Sequence, residues 1–343
     1  MVWRTARLLD EALAGRVLTH TDFRVPRFAT TDLTGRAVTE TVSRGKHLLT
    51  RVDGGLTVHT HLRMDGSWRI RPAGGYPPRD HRIRLVLGND ARQALGYQLG
   101  VVEVLRTRSE ERVVGHLGPD LLGPDWDAAE AVHRLQADPD RPAGEALLDQ
   151  RNLAGIGNLY KSEVLFLRGL HPWRPVGSID DLEALVELAR RLLEANKDQA
   201  GQITTGNPAR GQETWVYGRP GRPCRRCGAA IRTARHAGQR ADPEDRVTFW
   251  CPRCQLLPAV PGRRSRRRWP GPDHRAEDGG RQQSRQGHAD HDLRIVIAQG
   301  AGGDCRYLPG GIFDYCHLVA RTQTLAFPAV EMAEDGRPVR CRK

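Results

Sequence analysis

No run of apolar residues in the 343-residue chain approaches the length needed to cross a bilayer, and no leader of the charged, apolar and small-residue type opens it. A helical membrane protein and a secreted precursor are therefore not expected; a soluble cytoplasmic protein is. Acidic residues are in deficit, 41 against 53 Lys plus Arg, which leaves a formal charge of +12. The isoelectric point near 9.9 lies above the value of about 9 associated with nucleic-acid-binding domains. An arginine-rich composition produces the same balance without a ligand, so charge admits a nucleic-acid partner without requiring one. Cysteine is scarce as well: of seven, four form two tight pairs, and Cys305, Cys316 and Cys341 scatter near the C-terminus. With no leader to deliver the chain to an oxidising compartment, the paired spacing favours a metal over disulfides.

The length allows two or three domains, each with its own core. Ala6, Leu9 and Leu13 share one face at helical spacing, which predicts a helix over 2–14 stopped by Gly15. From Arg16 to about Arg106 short alternating segments (48–52, 56–59, 68–70, 83–87 and 101–105) are separated by Gly, Asp and Pro, the pattern of a β-sandwich or barrel-like domain. Beyond Leu117-Gly118-Pro119-Asp120 the period becomes helical, with helices predicted over 128–137, 143–150, 158–167 and from Ser178 to about Lys197, the last with Ser178 and Asp181 as a capping box. Residues 204–211, rich in Gly, Thr and Asn, are expected to form a mobile loop. Residues 258–343 have little periodicity and carry 15 basic and 10 acidic residues, +5 of the total charge, and are expected to be a low-order basic tail. The fold class is thus α+β, with domains expected at 1–115, 116–206 and 215–257, ahead of the tail at 258–343.

Cys224-x-x-Cys227 and Cys251-x-x-Cys254 each offer two thiolates from one tight knuckle, and two knuckles close a tetrahedron around one Zn2+. Four thiolates leave no position for water, so the zinc is structural, and His236 between the pairs is not needed. The spacer is longer than the usual fifteen to twenty or so residues, an excess assigned to the polar turn at 241–245. Upstream, Leu148-Asp149-Gln150-Arg151-Asn152-Leu153-Ala154-Gly155-Ile156-Gly157-Asn158-Leu159-Tyr160 reads as a helix-turn-helix. Gly155 and Gly157 strip its turn of side chains, so that backbone N–H groups and the Asn158 amide can approach an anion at a helix N-terminus.

Together these features resemble the formamidopyrimidine-DNA glycosylase / endonuclease VIII family, over residues 2 to about 256. The resemblance implies a helix-two-turn-helix and a zinc β-hairpin gripping double-stranded DNA around a damaged base or an abasic site. It implies a phosphate contact for Asn158, and for Arg246, in Arg246-Val247-Thr248-Phe249-Trp250-Cys251, whose planar fork suits a phosphate. Ser43-Arg44-Gly45-Lys46-His47 is similar to the segment that brings a lysine beside the lesion, making Lys46 a catalytic candidate and His47 structural. His61-Leu62-Arg63-Met64-Asp65-Gly66 is similar to the loop that fills the gap left by a rotated base, with Met64 in the gap and Arg63 toward the orphaned partner. Members begin Met-Pro-Glu, the proline amine attacking the deoxyribose C1′ and the glutamate acting as acid toward the ring oxygen. This chain opens Met1-Val2-Trp3-Arg4 and matches the first helix from several residues inside it. The expectation is a translation start upstream of Met1; a truncated inactive protein and a recruited nucleophile such as Lys46 are the alternatives. The implied function is a monomeric, nucleoid-associated bacterial DNA glycosylase and abasic-site lyase. The Arg63-Met64-Asp65 loop and the lack of a clear formamidopyrimidine-type arginine loop lean toward oxidised pyrimidines. A DNA-binding protein with cleft and zinc but no chemistry is the rival, and a zinc-ribbon RNA-associated protein leaves the Met64 loop unexplained.

Overall fold

The structure, a computed structural model, describes residues 1–235 and 247–257. Helix α1 (Val2–Leu13) buries Ala6, Leu9, Ala12 and Leu13, the stripe its periodicity predicts. Gly15, at φ 72°, turns the chain out of the helix in a conformation a side chain would strain. Eight strands follow: β1 (His20–Phe23), β2 (Val38–Arg44), β3 (His47–Val52), β4 (Leu56–His61), β5 (Ser67–Pro72), β6 (Ile83–Gly88), β7 (Arg92–Tyr97) and β8 (Val101–Arg106). They form two antiparallel sheets of order β1-β6-β7-β5 and β2-β3-β4-β8. Leu48, Val52 and Val58 from one sheet share a core with Leu85, Leu87 and Ala94 from the other and with the buried face of α1. The sandwich expected from sequence is thus present.

The outward face of β3 and β4 is not solvent-washed. Arg51 forms ion pairs with Glu40 and Glu110, and Thr57 donates to Glu110, so the segment that carries the short helix α2 (Glu111–Val114) lies over it. Cover on both faces explains why burial along β3 breaks the alternation of a half-exposed strand.

The helical part comprises α3 (Ala128–Gln136), α4 (Ala143–Leu148), α5 (Asn158–Leu167) and α6 (Leu182–Asn196). Leu135, Leu147, Leu153, Ile156, Val164 and Val186 are among its buried core. Helix α6 starts later than the sequence suggested: Asp181 is the N-cap and accepts from the Ala184 N–H at 2.9 Å, while Ser178 ends a separate 3-10 turn. The expected mobile loop is anchored at its start, since Thr204 is buried and donates its hydroxyl proton to Glu163. Strands β9 (Arg232–Arg235) and β10 (Val247–Trp250) pair antiparallel to make the hairpin of the cysteine module. Its small core joins Phe166 of α5 to Val216, Cys224, Ile231 and Cys251. Arg246, His236, the turn at 241–245 and the tail from 258 lie outside the described residues. Among the described residues no helix is long and apolar enough to cross a membrane.

Candidate DNA-binding and catalytic site

The β2–β3 turn and the glycine turn ahead of α5 meet. Gly45, at φ 58°, is packed so closely that a Cβ there would stand 3.2 Å from the Ala154 Cβ and 3.6 Å from the Gly155 nitrogen. Asp120 joins them: its carboxylate accepts from the Gly45 N–H at 2.6 Å and from the Leu122 N–H at 3.1 Å. Burial pushes the Asp120 carboxyl above its ordinary value, opposed by those hydrogen bonds. Around this junction lies a cavity of about 140 Å³ whose walls include Met1, Lys46, Asp120, Gly155, Gly157 and Tyr160. A Cβ on Gly157 would stand 3.8 Å from the Lys46 Nζ, an ordinary contact distance, which places the ammonium beside the start of α5.

The anion-binding expectation for the turn divides between its two glycines. The Gly155 N–H is engaged, donating to the Gln150 side-chain oxygen at 3.0 Å, and φ 96° there requires glycine. Gly157 is the N-cap of α5 with no side-chain cap and lines the cavity together with Lys46, so the uncapped start of the helix lies at the cavity wall. Asn158 is 8% exposed; its amide donates to the Val247 carbonyl of β10 at 2.9 Å, while its Oδ1 has no protein partner among the described residues. Beyond its expected phosphate contact, Asn158 therefore ties the cysteine hairpin to α5.

Arg63 and Met64 both project from a tight turn, Met64 at 50% exposure, so the methionine is no core residue. Arg63 adopts φ 51°, and its side chain lies over Gly100, where a Cβ would stand 2.5 Å from the Arg63 Cδ. At the base of this loop and of the Lys46 turn lies a cluster that the sequence reading missed. Between His47 Nδ1 and His59 Nε2 the separation is 2.8 Å, and between His59 Nδ1 and a Glu103 oxygen it is 2.6 Å, with His61 edge-on to His47. Burial, then the neighbouring His61, His59 and His116, hold the His47 imidazole down to about 3. The signal was available: His59 and His61 alternate on β4, and His47 is the register partner of His61.

The four cysteine sulfurs lie within 4.8 Å of one another, with Cys227 to Cys251 at 3.4 Å and Cys224 to Cys254 at 3.9 Å. Zn–S bonds of about 2.3 Å in a tetrahedron separate sulfurs by about 3.8 Å, so the set fits zinc. Backbone N–H groups of Arg226 and Cys254 point at Cys224 and Cys251 sulfurs, the support a thiolate needs. Burial pushes the Cys251 and Cys254 thiols upward, a cost that a bound dication removes.

Comparison with known proteins agrees with this geometry. The N-terminal domain of formamidopyrimidine-DNA glycosylase matches residues 2–98, and the helix-two-turn-helix domain of that enzyme matches residues 117–205. A probable endonuclease 8 2 of Streptomyces coelicolor is 58% identical over 271 residues, covering 77% of this chain and 96% of the relative. The DNA-(apurinic or apyrimidinic site) lyase Nei2 of Mycolicibacterium smegmatis is 48% identical, covering 74% and 96%. Among solved structures, Lactococcus lactis formamidopyrimidine-DNA glycosylase bound non-covalently to abasic-site DNA superposes with a TM-score of 0.63 at 25% identity, covering 74% of this chain and 98% of that one. A sandwich and a helical lobe joined around a glycine turn, a clustered cysteine quartet and these likenesses lead to one conclusion: the chain belongs to the formamidopyrimidine-DNA glycosylase / endonuclease VIII family.

Proposed function

We propose that this protein is a base-excision DNA glycosylase and abasic-site lyase acting on oxidised bases, pyrimidines in particular, in duplex DNA. The observation that carries the reading is the cavity in which Lys46 meets the uncapped start of α5, with the exposed Arg63–Met64 turn on the neighbouring strand end. In this reading the first-turn N–H groups of α5, Asn158 and Arg246 hold phosphates around the displaced nucleotide, and Met64 and Arg63 occupy the gap it leaves. Lys46 brings its ammonium to the reacting sugar or its phosphate. One structural Zn2+ on Cys224, Cys227, Cys251 and Cys254 stiffens the hairpin. The boundaries 1–115, 116–206, 215–257 and 258–343, a monomeric state and a cytoplasmic, nucleoid-associated location in a bacterium belong to the same reading.

The chemistry requires an unprotonated amine at C1′. Its attack displaces the base and forms an imine, and loss of the C2′ proton then expels the 3′ phosphate, followed by the 5′ phosphate. Met1 lines the cavity together with Lys46. Borohydride trapping on abasic-site duplex tests the reading, because it reduces a transient imine to a stable crosslink: a crosslink is expected, and the residue to which it maps is the nucleophile. No trapping, with DNA binding retained, would favour the non-catalytic DNA-binding reading.

A further inference from the structure

The first cysteine pair is spaced by Arg225 and Arg226, and both side chains are engaged. Arg225 turns back onto the loop that follows α6. Its Nε donates to the Thr214 carbonyl at 3.0 Å, one terminal nitrogen donates to the Gly211 carbonyl at 2.6 Å, and the other donates to the Gln212 side-chain oxygen. Arg226 lies over the Phe166 ring of α5, with its guanidinium carbon 4.6 Å from the ring centroid. The knuckle that supplies Cys224 and Cys227 is thus a two-armed bracket between a loop and a helix.

The loop closes on itself at a neck. The Thr204 N–H donates to the Glu213 carbonyl at 2.8 Å and the Thr205 hydroxyl to the Gln212 carbonyl at 2.6 Å, so residues 205–212 project as a short Ω-type excursion. The helical part holds one side of that neck: the Asn196 side chain accepts from the Ile203 N–H at 2.6 Å and donates to the Ile203 carbonyl at 2.9 Å, and Asn196 and Gln202 line the same cavity as Lys46. The other side, 211–214, is where the Arg225 fork is attached. A planar guanidinium can reach two carbonyls and an amide oxygen at once, which a single ammonium on a flexible stem cannot hold in one geometry. The direction in which Arg225 leaves the backbone is set by the turn between Cys224 and Cys227. That turn is the part of the chain that a metal shared by four sulfurs holds in shape.

We propose that Arg225 is a positioning residue that makes the loop at 205–212 answer to the metal: zinc shapes the Cys224–Cys227 turn, the turn aims the guanidinium, and the guanidinium fixes where the loop stands beside the cavity. This rests on the zinc reading of the cysteine quartet. Hydrogen–deuterium exchange of the full chain, read over 204–213 and over β9 and β10, tests it. The samples are wild type, Arg225→Met, Arg225→Lys and Arg222→Met, each zinc-loaded and zinc-stripped; Arg222 is an exposed arginine two residues ahead of Cys224 and controls for lost charge. Zinc-loaded Arg225→Met should keep its zinc and wild-type exchange in β9 and β10, yet exchange roughly tenfold faster over 204–213, the size of one lost charge-assisted contact. Arg225→Lys should behave alike, since it keeps the charge and loses the fork, and Arg222→Met should match wild type. Stripping zinc should speed the loop by a similar factor in wild type and add little in Arg225→Met. Wild-type loop exchange in either zinc-loaded Arg225 variant, or an equal acceleration by zinc removal with and without Arg225, overturns the coupling and leaves the zinc reading standing. Loss of zinc from both Arg225 variants also overturns it, since the arginine then only builds the metal site. A wild-type chain that takes up no zinc overturns the zinc reading itself, and the coupling with it.

Discussion

Asn158 begins α5, and its side-chain amide donates to the Val247 carbonyl of β10. An alanine there removes the tether to Val247 as well as the amide available to an anion. Arg246→Ala, by contrast, removes one guanidinium from the segment just ahead of β10. Each substitution is expected to weaken binding to abasic-site DNA by on the order of 1.5–3 kcal/mol, the range for a hydrogen bond to a charged group. Only Arg246→Ala should flatten the salt dependence by a full phosphate's worth while leaving the thermal transition in place. Titrating both variants at two salt concentrations separates the roles; an unchanged slope for Arg246→Ala means that this arginine faces solvent. The glycines at this scale are as specific as the side chains. At Gly155 the backbone lies at φ 96° and a Cβ would stand 3.2 Å from the Asp120 carboxylate, so Gly155→Ala strains the turn and crowds the junction together.

At the scale of the elements, the histidines on β3 and β4 make the sandwich sensitive to pH. His47 has an ordinary value near 6.5 when unfolded and about 3 when folded, facing His59, His61 and His116, with Glu103 behind His59. Between those values the unfolded chain binds a proton that the folded chain refuses, so stability rises with pH across the window and is lost as pH falls below about 6.5. Denaturant midpoints at pH 6.5 and 4.5 should therefore differ by less in His47→Phe, which keeps a ring in the stack and removes the titration. An equal drop in the variant would place the effect elsewhere. How far such elements are legible beforehand depends on what sets them. Helices α1 and α5 follow from apolar spacing, a glycine stop and a glycine start, and the structure bounds α5 at the residues the sequence suggests. Strands β1, β2 and β7 escaped notice because tertiary partners hold them: β2 carries Arg, Glu and Thr, and its pairing with β3 decides its state. The boundary of α6 moved for a simpler reason, since Asp181 competes with Ser178 as a cap and only one can precede a helix at Leu182. The cysteine quartet was readable because its chemistry is written in local spacing. The hydrogen bond from Lys161 to Thr248 was not, because 87 positions separate its ends.

At the scale of the whole molecule, zinc and DNA binding should be coupled while the sandwich stands apart. The cysteine module packs on α5 through Phe166, and Glu163 accepts from the backbone N–H groups of Trp215, Val216 and Tyr217 at 2.8 to 2.9 Å. The sandwich core contains none of these residues. Cys251→Ser leaves three thiolates, so metal content and duplex affinity should fall together, with the β-sheet signal and its unfolding transition preserved. Full zinc content and full affinity in that variant would show that the four-sulfur assignment is wrong.

The same helix has a consequence for the order in which the chain is made. Synthesis runs from the N-terminus, and α5 leaves the ribosome long before its partners: the Glu163 carboxylate waits 52 to 54 residues for 215–217, and Asn158 waits 89 for Val247. During that interval a helix destined to be buried presents Glu163, Lys161 and Phe166 to water. Closing such long loops is slow compared with forming the local contacts of the sandwich hairpins. The cysteine hairpin is therefore the last piece of the described fold to be delivered, and under the proposed function a nascent chain with both larger cores complete is expected not to hold damaged DNA until it arrives.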